Sequence, residues 1–251
     1  DAFPDKVEQA DGTLVDEDAA ATYWLNRNLF TLTQGATPGS FAEVPFWWDQ
    51  LTDVQKEALD PVTCGLSGGI CIAADIDQTA ANASIVLSYL RGDRSAERDK
   101  QGGIFRLRYS LLGAIMNSRP VYAPAGGGEG VVVVGSNTGV VHGFDASNGN
   151  ELFGYIPSIF LGNLEGLTQS PFNFRYFADG ELRYRQLDDG RHIVAGGFGA
   201  GAEGLFALDI TDPTDPTVLF ELSGSNAAYE AGEYVERLGN VYGRPTIAKL
   251  P

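Results

Sequence analysis

Hydrophobic and polar positions follow one rhythm in the first hundred residues and another in the rest. Residues 24–33, WLNRNLFTLT, alternate closely enough to predict one strand. LTDVQKEALD, at 51–60, opens with Thr52 as an N-cap and Gln55 three residues on. That pair is a capping box ahead of Val54, Ala58 and Leu59, so a helix is expected there. DQTAANASIVLSYLRGD, at 77–93, predicts a second helix capped by Asp77, with Ile85, Val86, Tyr89 and Leu90 on its apolar face. Gly92 stands where that helix would stop.

From residue 104 the pattern changes to short apolar runs separated by Gly, Asn and Asp. RPVYAP (119–124), GVVVVGSNTG (130–139), VVHGFDASNG (140–149) and ELFGYIPS (151–158) are four strand-sized pieces with hairpin turn chemistry at 137–139 and 147–149. The set then recurs as RYFADGEL (175–182), RHIVAGGFGAG (191–201), EGLFALDITDP (203–213) and TVLFELSG (217–224). Asp145 and Asp209 occupy equivalent turns 64 residues apart. A third copy starts at YGRPTIAKLP, where Arg244-Pro245 answers Arg119-Pro120. Four short strands per unit, repeated with an Asp turn between the third and fourth, predict propeller blades.

The expected fold is therefore mainly β: an incomplete β-propeller of about two four-stranded blades plus edge strands. The lead-in segment, 1–103, would hold one strand, two helices and a Cys loop. The blades would occupy 104–251, with residues 24–33 added to an earlier blade and an open edge at Leu250-Pro251. Propellers close with about four to eight blades, so the remaining blades of the same propeller are an expected partner. The insert 159–174 and the loop 223–240 are long for such connections, which makes them candidate contact regions.

Charge removes one class of function. The 251 residues carry 33 acidic against 17 basic side chains, a net charge of −16, and only Lys6, Lys56, Lys100 and Lys249 are lysines. The basic cluster from Arg91 to Lys100 is interleaved with Asp93, Glu97 and Asp99, so nucleic acid is not an expected partner. Cys64 and Cys71 bracket a Gly-rich loop, CGLSGGIC, that a disulfide closes easily, with a stabilisation of ~2.5 kcal/mol from loop entropy. Buried free thiols and a two-ligand metal site are the alternatives, although the spacing is not that of zinc. A disulfide implies an oxidising compartment. No apolar run approaches 18 residues, and the first residues do not resemble a signal peptide, so an exported form would have lost its leader.

No catalytic constellation emerges, and the chain is not expected to be an enzyme. His142 and His192 fall within strands, where packing and hydrogen bonding are their expected roles. GLSGG has the wrong spacing and setting for a nucleophile elbow, and GGFGAGAEG lacks the Lys and the helix of a P-loop. The run Asp75-Ile76-Asp77-Gln78-Thr79 offers the first three positions of a calcium loop, but Ala80 and Val86 stand where Gly and Glu belong. No metal site and no cofactor are expected in this chain. Arg91-Gly92-Asp93 is a candidate adhesion motif, and its competing reading is a helix stop followed by a turn.

These segments in this order resemble a known family. FRLRYSLLGAIMNSRPVYA, VVVVGSNTGVVHGFDASNGNELFGYIPS, HIVAGGFGAGAEGLFALDITDP and LGNVYGRPTIAKL are similar to the propeller of the PilY-type, type IV pilus tip-associated proteins. NRNLFT, FAEVPFWWDQLTDVQKEAL and LSYLRGDRS fit the segment that leads into it. The resemblance implies an exported, non-enzymatic protein of the pilus tip, cell surface or outer membrane that supports pilus biogenesis and surface adhesion. Minor pilins, the pilus tip and a host or abiotic surface would be its partners. Calcium, which family members bind in a later blade, would lie outside this chain. The turn at Asp145 to Leu152 is also similar to blade ends of quinone-cofactor dehydrogenases, but Trp24, Trp47 and Trp48 all precede the blades and cannot dock them. That enzyme class and a periplasmic outer-membrane assembly scaffold are the alternatives.

Overall fold

The computed structural model describes residues 23–35, 40–60, 84–125, 127–128, 130–223 and 238–248. They form two compact units that the chain enters alternately. The helical unit comprises 23–27, 45–60, 84–112 and 161–174, and the sheet unit comprises the other described residues. Cys64, Cys71, the 75–79 run and most of the 223–240 loop lie outside the described residues.

In the helical unit the local signals act where they stand. Helix α1, Asp53–Leu59, begins with the full capping box: Gln55 N donates to Thr52 Oγ1 at 3.3 Å, and Thr52 N donates to Gln55 Oε1 at 3.1 Å. Helix α2, Ile85–Arg91, takes Ser84 as its N-cap, with Leu87 N donating to Ser84 Oγ at 3.1 Å. The described helix is capped by Ser84, and the expected cap Asp77 lies outside the described residues. Ser84 Oγ also donates to Asp60 Oδ2 at 2.5 Å, tying the start of α2 to the residue after α1. Val86 and Tyr89 pack with Phe105, the two rings meeting edge-on at 5.1 Å. The 159–174 insert supplies helix α3, Leu161–Leu164, which packs against α1 with Leu161 and Leu164 buried.

The sheet unit holds two sheets. One is ordered β2-β1-β6-β5-β4-β3, where β1 is Leu29–Gln34, β2 Phe41–Pro45, β3 Val121–Ala123, β4 Val131–Gly135, β5 Val141–Asp145 and β6 Glu151–Tyr155. The other is ordered β10-β9-β8-β7, with β7 Leu182–Gln186, β8 His192–Gly197, β9 Gly204–Asp209 and β10 Thr217–Ser223. Each contains the predicted four-stranded antiparallel meander, and among the described residues no sheet closes on itself. The two Asp turns match: Asp145 accepts from Ser147 N at 2.8 Å and Oγ at 2.6 Å, and Asp209 accepts from Thr211 N at 3.0 Å and Oγ at 2.5 Å. The sheets meet through Tyr155 and Phe206, whose ring centres are 5.6 Å apart. First strand β3 packs beside first strand β7.

Three expectations are corrected. Residues 24–33 are not one strand of an earlier sheet. Tyr23–Asn26 form a 3-10 turn, and β1 joins the first sheet by parallel pairing with β6, Leu29 opposite Gly154. Leu29 Cδ2 lies 2.4 Å from where a Cβ would project at Gly154, so a larger residue there would have to displace that methyl. The first strand of the second meander starts at Leu182, not 175, because Phe177, Ala178 and Asp179 are buried in an irregular approach to it. The third copy forms no strand within 238–248, although Arg244 Nε donates to the Leu182 carbonyl at 3.0 Å and so lies beside β7.

Candidate functional site

The Arg-Gly-Asp tripeptide is the junction of the helical unit. Arg91 is fully buried at the last turn of α2. Its Nη1 donates to the Phe46 carbonyl at 2.9 Å, and its Nη2 donates to the carbonyls of Arg27 at 2.9 Å and Trp24 at 3.2 Å. The guanidinium lies over the Trp47 ring, 3.5 Å from its centre, and Arg27 Nη1 donates back to the Arg91 carbonyl at 2.5 Å. Gly92 adopts φ +125 and ends the helix, its N–H reaching the carbonyls of Ser88 and Tyr89. A Cβ there would also meet Leu111 Cδ1 at 3.0 Å.

Asp93 turns the chain onward. Its carboxylate accepts from Ser95 N at 2.8 Å and Ser95 Oγ at 2.9 Å, and its carbonyl accepts from Arg108 Nη2 at 2.7 Å. Arg108 continues the network: Nε donates to Glu97 Oε1 at 2.7 Å, Nη1 to the Tyr89 carbonyl at 2.5 Å, and the guanidinium covers the Tyr89 ring at 3.5 Å. Burial lowers the Arg108 pKa from its ordinary value and raises that of Tyr89. An adhesive Arg-Gly-Asp must offer both charged ends to a receptor. Here the arginine end is enclosed, so the arrangement is that of the helix stop.

The sheet unit brings together a second set that the sequence did not suggest. Ser136 Oγ lies 3.0 Å from His142 Nε2, and His142 Nδ1 lies 2.8 Å from Glu151 Oε1. The connectivity is that of a Ser-His-Glu triad. However, Ser136 is 2% exposed and its hydroxyl also engages Thr138 Oγ1 at 2.6 Å. A nucleophile must reach solvent and substrate, and this one is closed in. The chain of bonds stitches the β4–β5 turn to β6, with the His142 ring stacked on Phe144. His192, in β8, stacks on Tyr184 and meets its hydroxyl at 2.8 Å.

A third cluster joins β10, the edge strand of the second sheet, to the end of β6 and the turn that follows it. Glu221 of β10 is fully buried, and its carboxylate accepts from Ser158 N at 2.9 Å, Ser158 Oγ at 2.8 Å, Ile159 N at 3.1 Å and the Tyr155 hydroxyl. Burial pushes its pKa up, against the opposing pull of those donors. Among the described residues, no three His, Cys, Asp or Glu side chains converge as a metal site would require. No described helix is long and apolar enough to cross a membrane.

No family model matches the chain. Individual proteins do. The chain is 33% identical over 205 residues to a type IV pilus biogenesis factor PilY1 homolog of Xylella fastidiosa, covering 70% of this chain and 16% of that protein. It is 31% identical over 194 residues to the type IV pilus biogenesis factor PilY1 of Pseudomonas aeruginosa strain PAK, covering 65% of this chain and 16% of that protein. PilY1 of Pseudomonas aeruginosa strain UCBPP-PA14 aligns with 97% of this chain at 28% identity, over 21% of its own length. The crystal structure of the Pseudomonas aeruginosa PilY1 C-terminal domain aligns with 48% of this chain and 22% of that one, at 32% identity and a TM-score of 0.35. The chain therefore spans about a sixth to a fifth of the length of these relatives. Similarity along that span places it among them: the chain belongs to the PilY1 family of type IV pilus biogenesis factors.

Proposed function

We propose that this chain is part of a β-propeller in a type IV pilus-associated protein that supports pilus biogenesis and surface adhesion without catalysing a reaction. The similarity to PilY1 proteins over most of the chain is the observation that carries the reading. The propeller is supported by the repeated meanders, by the packing of β3 beside β7, and by the pair between Arg119 Nε and Glu181 Oε1 at 3.3 Å, which links the approaches to those strands. Blades present rigid loops and edges, and the partners they would meet are minor pilins and the pilus tip. The site is the cell surface or outer membrane, reached through the periplasm, where Cys64 and Cys71 would be oxidised to a disulfide.

Deleting the segment equivalent to 113–223 from the chromosomal gene is expected to abolish surface piliation and twitching, and an affinity-tagged wild-type protein is expected to co-purify minor pilins. Normal piliation in the deletion strain would refute the assignment.

Adhesion on this reading does not pass through the tripeptide. Asp93→Glu in the native protein is expected to leave binding to host cells unchanged within error, because Arg91 is enclosed whatever residue follows Gly92. A loss of binding with unchanged thermal stability would restore the adhesive role.

A further inference from the structure

One face of the second sheet differs from its counterpart in a way that specifies what covers it. Cross-strand register puts Arg183, Ala195, Ala207 and Phe220 in one row, and Arg185, Ile193 and Asp209 in the next. In the first sheet the corresponding rows are Val121, Val133, Gly143 and Phe153, then Ala123, Val131 and Asp145. That first-sheet face is buried, and Tyr155 on it meets Phe206 on the opposite face of the second sheet. The repeat therefore replaces the buried Val121 and Ala123 with Arg183 and Arg185.

The two arginines border a largely apolar patch, with Asp209 at the end of the Arg185 row, where it lies 3.9 Å from Arg191 Nη1. Ile193, Ala195 and Ala207 form a buried cluster with Phe220 and Ile247 at its margin. Arg185 Nη1 donates to the Ile247 carbonyl, so the start of the third copy already lies against this face. Arg183 is exposed and has no hydrogen-bond or ion-pair partner among the described residues.

We propose that this face receives a further four-stranded sheet of the same polypeptide, continuing from 244–247, and that this sheet presents a carboxylate to Arg183. The inference rests on the propeller reading and adds the chemistry of the contact. Three observations select the occupant. The same face of the first sheet is covered by the next sheet; residues 244–247 begin alongside β7 as the next copy would; and the chain spans only 16% of the Xylella fastidiosa relative. The carboxylate follows from desolvation. A guanidinium taken out of water against Ala195 and Ala207 loses its hydration, and only an anion at hydrogen-bond distance offsets that loss well. Val121 asks for no such partner, so the arginine also makes this face reject a sheet built to cover the first one.

The test uses the full-length protein, and its two arms separate the contact from the propeller reading. Under limiting phenylglyoxal, followed by peptide mapping, Arg183 and Arg185 are expected to react at least tenfold more slowly than the exposed Arg98. Reaction at the rate of Arg98 would show an uncovered face and overturn both the contact and the propeller. Where protection holds, Arg183→Leu is expected to lower the melting midpoint by about 5 °C, and Arg183→Lys by less than about half of that. A Leu variant as stable as wild type, or an equal loss in both variants, would overturn the carboxylate while leaving the propeller standing.

Discussion

Replacing Arg91 with alanine is expected to destabilise the protein by about 4 kcal/mol, one of the two largest single-residue effects anticipated in the chain. The side chain ties α2 to three separate carbonyls, those of Trp24, Arg27 and Phe46, and its removal takes that donor from all three inside the unit. It also takes away the cation beneath which Trp47 lies, a contribution of ~2 kcal/mol when desolvated. Arg91→Lys should recover about half of the loss, because an ammonium keeps the charge but cannot span the fork. Urea denaturation followed by tryptophan fluorescence measures this directly, since Trp47 is the ring against the guanidinium and Trp24 and Trp48 lie in the same unit. A loss below about 1 kcal/mol for the alanine variant would mean that water replaces the guanidinium and that the tripeptide is free to open.

That result bears on how the sequence should be read. Thr52, Gln55 and Gly92 were legible because capping and helix termination are decided within four residues, and their chemistry does not depend on the rest of the fold. The Asp145 and Asp209 turns were legible for the same reason, and their repetition located the meanders. What failed was non-local. Nothing in NRNLFTLT indicates that Leu29 pairs in parallel with Gly154, since both partners are short apolar strands and loop closure alone does not choose between edges. The start of β7 was displaced because Phe177 and Ala178 look like strand residues yet are buried by the irregular backbone at 177–181.

The polar clusters were illegible for a related reason. Arg91 reads as part of a short motif at a helix end, and its burial depends on Phe46 and Trp47, more than forty residues upstream. Ser136, His142 and Glu151 carry no spacing that marks them, because hydrogen bonds across β4, β5 and β6 set their geometry. A signal was available for the arginines of β7. Aligning the two meanders puts Arg183 and Arg185 where Val121 and Ala123 stand, a hydrophobic-to-charged exchange inside a repeat. In a chain with net charge −16 that exchange stands out once the repeats are aligned by structure.

Glu221→Ala is expected to cost about 3 kcal/mol, since it leaves the part-buried Ser158 and Ile159 N–H groups and the buried Tyr155 hydroxyl without their acceptor. The melting midpoint should fall by about 10 °C. The glutamate also gives the protein a pH response with a defined sign. Burial raises its folded-state pKa above the unfolded value. The folded state therefore holds this proton to higher pH than the unfolded chain, and folding is favoured by protonation there. The stabilisation linked to this group is fully present below the unfolded pKa and is lost as pH rises through the folded one. Asp145 and Asp212 run the other way: hydroxyl and backbone donors lower their pKa values, so their contribution is present above the unfolded pKa and lost as pH falls through the folded one. Glu221→Gln isolates the first effect, because an amide does not titrate while occupying nearly the same space. The stability of wild type relative to that variant should rise as pH is lowered from 7 toward 4, although wild type remains the more stable at both ends. The amide's NH2 must face one of the N–H donors that a carboxylate accepts. A wild-type-minus-variant difference that stays flat across that interval would show that the four donors fully offset the desolvation of the carboxylate and that Glu221 is a latch without a pH response.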